Sequence, residues 1–312
     1  MMVHVDNLTK RYKGTLAVDQ LTMEIPAGEI YGFVGANGAG KTTTMRIIAG
    51  LLAPTSGKVY IDGIDVSKEP LQVKKHIGYM PDFFGVYDDL KVSEYMDFYA
   101  GLQGIPKSKA AGLIDSLLEL VRLTHKRDAY VDTLSRGMKQ RLCLARSLIH
   151  DPKFLILDEP ASGLDPRARV EMKEILKELR TMGKTVLISS HILPELSELC
   201  TSIGIIDSGK LIASGSVSEI VEKLSRSGKV KIKVAGQEEE AVQVLMEIPG
   251  IGSISSVSDL IEVDVSGGNE ACVQILRILV EKEIPVVSFQ PVEGSLESVF
   301  MHLTERGNGD EN

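Results

Sequence analysis

Cysteine and long uncharged hydrophobic runs are both scarce in this 312-residue chain. The first shortage argues against a disulfide-stabilised protein, and the second argues against a chain that spans a membrane. The three cysteines are scattered and form no C-x-x-C pair, which favours reduced, buried thiols over a disulfide framework. No window reaches the roughly 18 to 20 apolar residues that a bilayer-spanning helix requires. If the protein serves a membrane, we therefore expect a partner to supply the spans. The first residues carry charges at Asp6, Lys10 and Arg11, where a secretion signal would place an apolar core.

A basic excess is also absent. The formal net charge is -8, which argues against general nucleic-acid binding because that function usually needs a basic face, although local basic patches remain open. Apolar residues make up 43% and charged residues 25%, so the chain can bury a sizeable core. The length predicts one large domain and one smaller domain.

Strand and helix patterns alternate through the first 225 residues. Residues 21 to 34 predict two short strands separated by a Pro-Ala-Gly turn. Further strands are expected at 58–61, 77–79, 154–158, 185–189, 203–206 and 210–213, and helices at 41–51, 92–125, 135–150 and 166–181. This order predicts an α/β fold in which helices cover a largely parallel sheet.

The remaining residues, 226 to 312, follow a different order. Ser225 to Gly228 predict a linker, and the alternating residues 229–234 predict a half-buried strand. Helices are then expected at 237–247, 269–281 and 295–303, and strands at 253–257, 260–265 and 285–290. The resulting β-α-β-β-α-β order predicts a small α+β domain of the split-βαβ type.

The segment Gly35-Ala36-Asn37-Gly38-Ala39-Gly40-Lys41-Thr42 matches G-x-x-x-x-G-K-[ST] at every fixed position, between a predicted strand and a predicted helix. The glycines allow successive backbone N–H groups to point at phosphate oxygens, and the helix that follows presents its positive end to the same anion. Lys41 offers a charge to the β- and γ-phosphates, and Thr42 offers a hydroxyl to Mg²⁺. The alternative is a glycine-rich turn that lysine follows by chance.

Two acids follow the apolar strand Phe154-Leu155-Ile156-Leu157. Asp158 and Glu159 thus lie at the carboxyl end of a strand, where open α/β sheets bind ligands. We expect Asp158 to hold Mg²⁺ through water. Glu159 is placed to orient and deprotonate an attacking water, a role worth about 10²- to 10⁴-fold in rate. Taken alone, the pair could equally be solvated acids at the end of a strand.

Further motifs in the correct order make the chain resemble the ATP-binding-cassette (ABC) family. Leu134-Ser135-Arg136-Gly137-Met138 resembles the signature segment of the family, and Ser162-Gly163-Leu164-Asp165 resembles its D-loop. His191 resembles the switch histidine, and Tyr12 resembles the aromatic residue that stacks on adenine. The resemblance covers residues 1 to 225.

This resemblance implies a P-loop NTPase cassette with a helical subdomain that carries the signature and with antiparallel strands at the N-terminus. Two subunits, as a homodimer or a paired cassette, would sandwich two ATP molecules, each between one P-loop and the signature of the other subunit. It also implies Mg²⁺ as cofactor, a multi-span membrane permease as partner, a cytoplasmic location on the inner face of the membrane, and no nucleic-acid partner. The implied ATP-binding residues are Tyr12, Gly35, Asn37, Gly38, Ala39, Gly40, Lys41, Thr42, Thr43, Ser135 and Gly137; the catalytic residues are Glu159, His191 and Asp82; and the Mg²⁺ ligands are Thr42, Asp158 and Asp82.

Several of these residues have a plainer explanation. Taken alone, His191 could be a structural histidine, and Tyr12 could be a surface tyrosine beside two basic residues. Asp165, which we expect to help position the dimer interface, could simply start a helix before proline. The neighbourhood of Glu159 and the P-loop favours the functional interpretation of His191.

Three residues depart from the family pattern. Asp82 stands where glutamine is usual; a carboxylate can coordinate Mg²⁺, but it cannot donate a hydrogen bond and adds negative charge near phosphate. Arg136 replaces a glycine, and Met138 replaces a glutamine whose amide could bond across the interface. Since the signature serine and Glu159 remain, we expect hydrolysis with a slower turnover.

Two further segments bear on partners. The stretch from Asp82 to Tyr87 holds three aromatic residues, which are usually core packing but in transport cassettes lie in the region that faces the membrane subunit. The tail from 229, with its ending Leu296-x-x-Val299-Phe300-x-x-Leu303, resembles the C-terminal domain of cassettes from drug and polysaccharide exporters. It could stabilise a homodimer or cap the assembly. The leading hypothesis is therefore the ATPase subunit of an exporter.

Three other functions compete with this one. A DNA-repair cassette would need a long coiled coil, and a translation cassette would need two P-loops, whereas this sequence has one P-loop and no sustained heptads. A nucleotide-gated module that hydrolyses poorly is suggested by Asp82 and by the altered signature. A phosphotransferase with the same loop would leave the signature and His191 without a role.

Overall fold

The computed structural model describes residues 2–83, 85, 89–192, 196–220, 227–257 and 260–292. The chain divides into two compact units, Met1–Gly215 and Ser216–Asn312. The domain boundary expected near residue 225 and the helix expected at 295–303 lie outside the described residues. Each unit is described by itself.

Strands and helices alternate along the first unit. Its strands are β1 (Val3–Tyr12), β2 (Thr15–Ile25), β3 (Ile30–Val34), β4 (Ser56–Ile61), β5 (Ile64–Asp65), β6 (Ile77–Met80), β7 (Phe154–Leu157), β8 (Thr185–Ser190), β9 (Ser202–Asp207) and β10 (Lys210–Ser216). Its α-helices are α1 (Lys41–Ile48), α2 (Pro70–Lys74), α3 (Val92–Leu102), α4 (Lys107–Leu120), α5 (Arg136–Leu148) and α6 (Pro166–Thr181). The predicted α/β alternation is confirmed.

The described strands of this unit form two sheets. The first pairs antiparallel in the order β2-β1-β4-β5, which confirms the antiparallel strands expected at the N-terminus. The second has the order β10-β9-β3-β8-β7-β6, and the strands from β9 to β6 in that order run parallel. β3 and β7 are buried at every position, which explains their continuous apolar runs because helices cover both faces of a parallel sheet.

Two helix predictions differ from the structure. α1 ends at Ile48 and not near Leu51, because Gly50 adopts a left-handed conformation (φ 67) that terminates the helix. The helical segment expected over 92–125 is divided into α3 and α4. Gly104 (φ 71) and Pro106, the N-cap of α4, separate them, since neither residue continues a helix favourably.

One buried cluster connects the two sheets through α1. It includes Val5 and Ile25 from the antiparallel sheet, Ile47 from α1, and Phe33 and Ile156 from the parallel sheet. Packing of α1 against both sheets holds the loop between β3 and α1 in place. Within the described ranges, no helix is both long and apolar enough to traverse a bilayer.

The second unit has a β-α-β-β-α-β order. Its elements are β11 (Ser227–Val234), α7 (Glu238–Met246), β12 (Ile251–Val257), β13 (Leu260–Ser266), α8 (Gly268–Glu281) and β14 (Val286–Val292). The sheet order β12-β13-β11-β14, antiparallel throughout, confirms the predicted split-βαβ arrangement. Ile232 and Leu245 belong to the buried cluster of this unit.

The linker predicted at Ser225 to Gly228 is wrong at its C-terminal end, because the strand that follows begins at Ser227. Ser227 and Gly228 belong to β11, where Ser227 pairs with Ser266 and Gly228 pairs with Val265. The ladder continues because paired strands satisfy their backbone hydrogen-bonding groups, and residue composition alone does not reveal where pairing stops.

The three cysteines are free thiols, as predicted. Cys143 and Cys200 are buried, and burial raises the pKa of the Cys143 thiol to about 11 and that of Cys200 to about 12. Cys272 is only half-buried, so the prediction of buried side chains is wrong for that residue.

Candidate nucleotide site

Glycines shape both ends of the loop between β3 and α1. Gly35 is buried, and a Cβ there would lie 2.5 Å from the carbonyl oxygen of Ile206. Gly40 adopts φ 105, and a Cβ there would collide with the carbonyl oxygen of Ala17. The backbone therefore passes where only glycine fits, and it turns in a conformation that glycine tolerates best.

Lys41, the first residue of α1, is buried with its ammonium group turned back toward the loop. Its Nζ donates to the carbonyl oxygens of Gly35 at 2.6 Å and of Ala36 at 3.2 Å. The first turn of α1 contains no acidic residue, and no side chain caps it. The ammonium group and the positive end of the helix dipole together favour an anion at this loop.

The other predicted P-loop residues lie around the same turn. Asn37, Gly38 and Thr42 are exposed, Thr43 is half-buried, and Ala39 is buried. The Ala39 N–H donates to the Ala36 carbonyl oxygen at 3.1 Å and tightens the turn. Phosphate binding by these residues stays a prediction.

Asp158 and Glu159 follow β7, beside Ser189 near the end of β8. Because β7 and β8 are parallel neighbours, their carboxyl ends meet at one edge of the sheet. The Ser189 hydroxyl donates to Oδ1 of Asp158 at 2.7 Å and accepts the Glu159 N–H at 2.9 Å. Asp158 is 1% exposed, and its Oδ2 has no hydrogen-bond partner among the described residues. One buried carboxylate oxygen is thus available for a ligand.

Glu159 lies between a lysine and a histidine. Its Oε2 is 2.9 Å from Nδ1 of His191, and its Oε1 is 3.5 Å from Nζ of Lys41. The Glu159 backbone adopts φ 51, a left-handed conformation that is uncommon for residues other than glycine and that often occurs at functional sites. The structure therefore joins Lys41, Glu159 and His191, which are far apart in the sequence.

Ser135 and Gly137 lie at the start of α5. Ser135 is the exposed N-cap, and its Oγ accepts the Met138 N–H at 3.3 Å. Gly137 is buried against α6, where a Cβ would lie 2.8 Å from the Cβ of Ala168. Packing against α6 is thus a structural reason for glycine at 137, and the predicted nucleotide contacts of both residues stay predictions.

Tyr12 and Asp165 are exposed. Tyr12 is the last residue of β1, and the Lys10 ammonium group lies 5.3 Å from the centroid of the Tyr12 ring. Asp165 is the N-cap of α6 and accepts the Ala168 N–H at 2.9 Å, which confirms the helix-start explanation. Adenine stacking by Tyr12 and an interface role for Asp165 stay predictions.

Asp82 is exposed after β6. Burial raises the pKa of the Tyr79 phenol, and the charges of Asp158 and Asp82 act in the same direction. Asp82 therefore contributes to the electrostatics of the edge that carries Asp158. The neighbouring Phe83 is 89% exposed, so core packing is wrong for this aromatic residue; Phe84 and Tyr87 lie outside the described residues.

Ser189 is the functional candidate that sequence reasoning missed. Its only signal is a pair of serines, Ser189 and Ser190, at the end of an otherwise apolar strand. The pairing of β7 with β8 is needed to recognise that this hydroxyl faces both acids.

The P-loop motif after β3 and the two acids after β7 thus lie at one edge of the parallel sheet, which is the arrangement of a P-loop nucleoside triphosphatase. Comparison with known proteins narrows this class. Residues 18–162 match the family model described as ABC transporter. The linearmycin resistance ATP-binding protein of Bacillus subtilis (strain 168) is 31% identical over 307 residues, 98% of this chain and 99% of that protein. A Nod factor export ATP-binding protein I of Cupriavidus metallidurans is 37% identical over 242 residues, 78% of this chain and 79% of that protein.

Solved structures agree with these relatives. An ATP-binding subunit of an ABC transporter is similar with a TM-score of 0.65 at 28% identity, covering 72% of this chain and 93% of that chain. A dimeric ATP-binding cassette in a post-hydrolysis state with ADP and Pi is similar with a TM-score of 0.64 at 25% identity, covering 69% of this chain and 99% of that chain. This chain belongs to the ABC transporter family and is an ATP-binding, ATP-hydrolysing subunit.

Proposed function

We propose that this chain drives a membrane exporter by hydrolysing ATP, with Glu159 as the general base. The observation that carries this proposal is the convergence of Lys41, at 3.5 Å, and His191, at 2.9 Å, on the Glu159 carboxylate. That carboxylate would accept the proton of a water molecule as it attacks the γ-phosphorus, while His191 keeps the carboxylate oriented. Lys41 would exchange its two loop carbonyl partners for phosphate oxygens.

The donor set at the sheet edge fits Mg²⁺. Asp158 offers a buried carboxylate oxygen without a hydrogen-bond partner in the described chain, and anionic oxygen is the ligand that this cation prefers. Thr42 and Asp82 would add a hydroxyl and a second carboxylate, with phosphate and water oxygens completing the set. When bound, the cation neutralises charge on the phosphates. Ser189 keeps Oδ1 of Asp158 occupied and so leaves Oδ2 for this role.

The rest of the nucleotide would be held by the loop and by a second cassette. We assign the phosphates to the backbone and hydroxyl donors of 35–43 and the adenine to Tyr12. Ser135 and Gly137 of one copy would meet the γ-phosphate held by the other copy, and Asp165 would help position that interface. Similarity to a dimeric cassette bound to ADP and Pi supports this arrangement.

A separate multi-span permease would supply the membrane spans, with the cassette on the cytoplasmic face of the membrane. Relatives named for Nod factor export and linearmycin resistance support an export role. The exposed Phe83 side chain is the candidate contact for the permease, because it lies in the segment that resembles the region facing the membrane subunit in transport cassettes. We assign residues 1–225 to the ATPase domain and 226–312 to an accessory domain that stabilises the dimer.

Phosphate release from Mg-ATP by the purified full chain tests the central assignment. Glu159→Gln should lower the rate by at least about 100-fold and keep ATP binding, because the amide cannot accept the proton. Glu178→Gln, an exposed change in α6, is the matched control and should leave the rate unchanged. A wild-type rate in Glu159→Gln would show that the base is wrongly assigned. Wild-type protein that binds ATP without releasing phosphate would favour the nucleotide-gated module.

Purification from membranes tests the partner. The tagged chain should recover a multi-span membrane protein, and Phe83→Ser should recover less of it. Recovery of ribosomes or DNA in place of a membrane protein would reject the transport role.

A further inference from the structure

Arg136, the exposed first residue of α5, packs on the loop that follows Glu159. A Cβ placed on Gly163 would lie 2.5 Å from Cζ, 2.5 Å from Nη1 and 2.7 Å from Nη2 of Arg136. Nearly equal distances from three atoms of a planar group mean that the flat face of the guanidinium covers the α-carbon of Gly163. Arg136, one of the two residues that depart from the family signature, is therefore in contact with the D-loop of its own subunit.

Gly163 lies between two residues, Ser162 and Leu164, that are themselves held by hydrogen bonds. It adopts φ 65, and its own N–H and C=O form no hydrogen bond with any residue that the structure describes. The preceding residue, Ser162, is held by Nε2 of Gln140, which donates to its carbonyl oxygen at 3.3 Å. The Ser162 N–H in turn donates to the carbonyl oxygen of Glu159 at 3.0 Å. A displacement at Gly163 thus reaches the Glu159 backbone through one residue.

The stability of α5 does not explain this arginine. The start of a helix carries a partial positive charge, so a cation there is unfavourable, and the first turn of α5 has no acidic residue to offset it. Over the described part of the chain, the guanidinium of Arg136 forms no hydrogen bond or ion pair. Its contact with Gly163 is the interaction that remains.

We propose that Arg136 is a positioning residue for hydrolysis. By covering Gly163, its guanidinium holds the loop that sets the backbone of Glu159, and it thereby keeps the base aligned with the P-loop. The inference rests on the proposed role of Glu159. The adjacent Ser135 is assigned to the nucleotide held by the second subunit. The first turn of α5 therefore connects that nucleotide, through Ser135, with the base of this subunit, through Arg136.

Arg136→Ala in the purified full chain is the first test. The melting temperature should be unchanged or higher, since the substitution removes a cation from the positive end of α5. The kcat for Mg-ATP should fall about tenfold while KM stays the same, because a misaligned base loses rate without losing nucleotide contacts. Arg180→Ala, an exposed arginine in the last turn of α6, is the control and should change neither parameter. An unchanged kcat in Arg136→Ala overturns the inference.

Arg136→Lys separates packing from charge. An ammonium group has no flat face to lay on Gly163, so kcat should fall about tenfold as it does with alanine. Rescue of kcat by lysine would show that only the charge matters, as it would for a phosphate contact, and would overturn the positioning role.

Gly163→Ala completes a double-mutant cycle. A Cβ at 163 displaces the guanidinium, so Gly163→Ala alone already loses the contact. Adding Arg136→Ala to it should lower kcat by no more than about twofold further, whereas independent effects would multiply. Losses that multiply contradict the inference. Full turnover in Glu159→Gln would instead reject the proposed function, so the two failures are distinguishable.

Discussion

The Ser189 hydroxyl donates a 2.7 Å hydrogen bond to Oδ1 of Asp158, a carboxylate that is 1% exposed. The same hydroxyl oxygen accepts the backbone N–H of Glu159 at 2.9 Å. One side chain therefore orients both the proposed Mg²⁺ ligand and the backbone of the proposed base. Burial of a carboxylate is costly unless hydrogen bonds compensate, so this contact also contributes to stability.

Ser189→Ala should weaken both stability and the use of Mg²⁺. Loss of the hydroxyl leaves a part-buried N–H and a buried carboxylate oxygen without a partner, which should lower the free energy of unfolding by about 1–3 kcal/mol in urea titrations. The Mg²⁺ concentration for half-maximal phosphate release should rise. Ser190→Ala is the control, because the Ser190 hydroxyl bonds the Ile192 N–H and neither acid. A wild-type Mg²⁺ requirement in Ser189→Ala would contradict the assignment.

His191→Ala should lower kcat and leave ATP affinity unchanged. The substitution removes the partner 2.9 Å from Oε2 of Glu159, and a carboxylate without a fixed orientation should lose about 10- to 100-fold in rate. Steady-state phosphate release and ATP titration measure the two effects separately. His125→Ala, an exposed histidine outside the site, should behave as wild type. Equal kcat values in the wild type, His191→Ala and His125→Ala would show that His191 is a structural histidine.

Gly40→Ala should destabilise the nucleotide-free protein more than Gly38→Ala. Both glycines have positive φ, so both alanines carry a backbone penalty of about 1 kcal/mol. At Gly40 the new Cβ also meets the carbonyl oxygen of Ala17, whereas at Gly38 it meets open space. Urea unfolding should therefore separate the two variants by about 2 kcal/mol, the usual cost of overpacking. Equal stabilities would mean that the loop can move away from Ala17.

Much of the fold could be predicted because alternating elements and the split-βαβ pattern are local features of the sequence. The spacing of the P-loop motif likewise identified Lys41 before its contacts were known. Helix ends were harder to predict. α1 ends before Gly50, whose left-handed conformation depends on the surrounding packing.

Contacts between distant segments could not be predicted from spacing. Ser189 faces Asp158 only because β7 and β8 are neighbours in the sheet, and the sequence does not state strand order. The packing of Arg136 on Gly163 likewise depends on how α5 meets the loop after β7. The sequence shows that arginine replaces the usual glycine at position 136, but it does not show that this arginine contacts Gly163.

Binding of Mg-ATP by the intact P-loop tests the account most directly. Isothermal titration of the wild-type chain should show binding, and Lys41→Ala should weaken it by about 10- to 100-fold, because a hydrogen bond to a charged group contributes about 1.5–3 kcal/mol. Circular dichroism should confirm that the variant is folded. Failure of the wild-type protein to bind ATP, or equal affinity in Lys41→Ala, would contradict the nucleotide site on which the proposed mechanism depends.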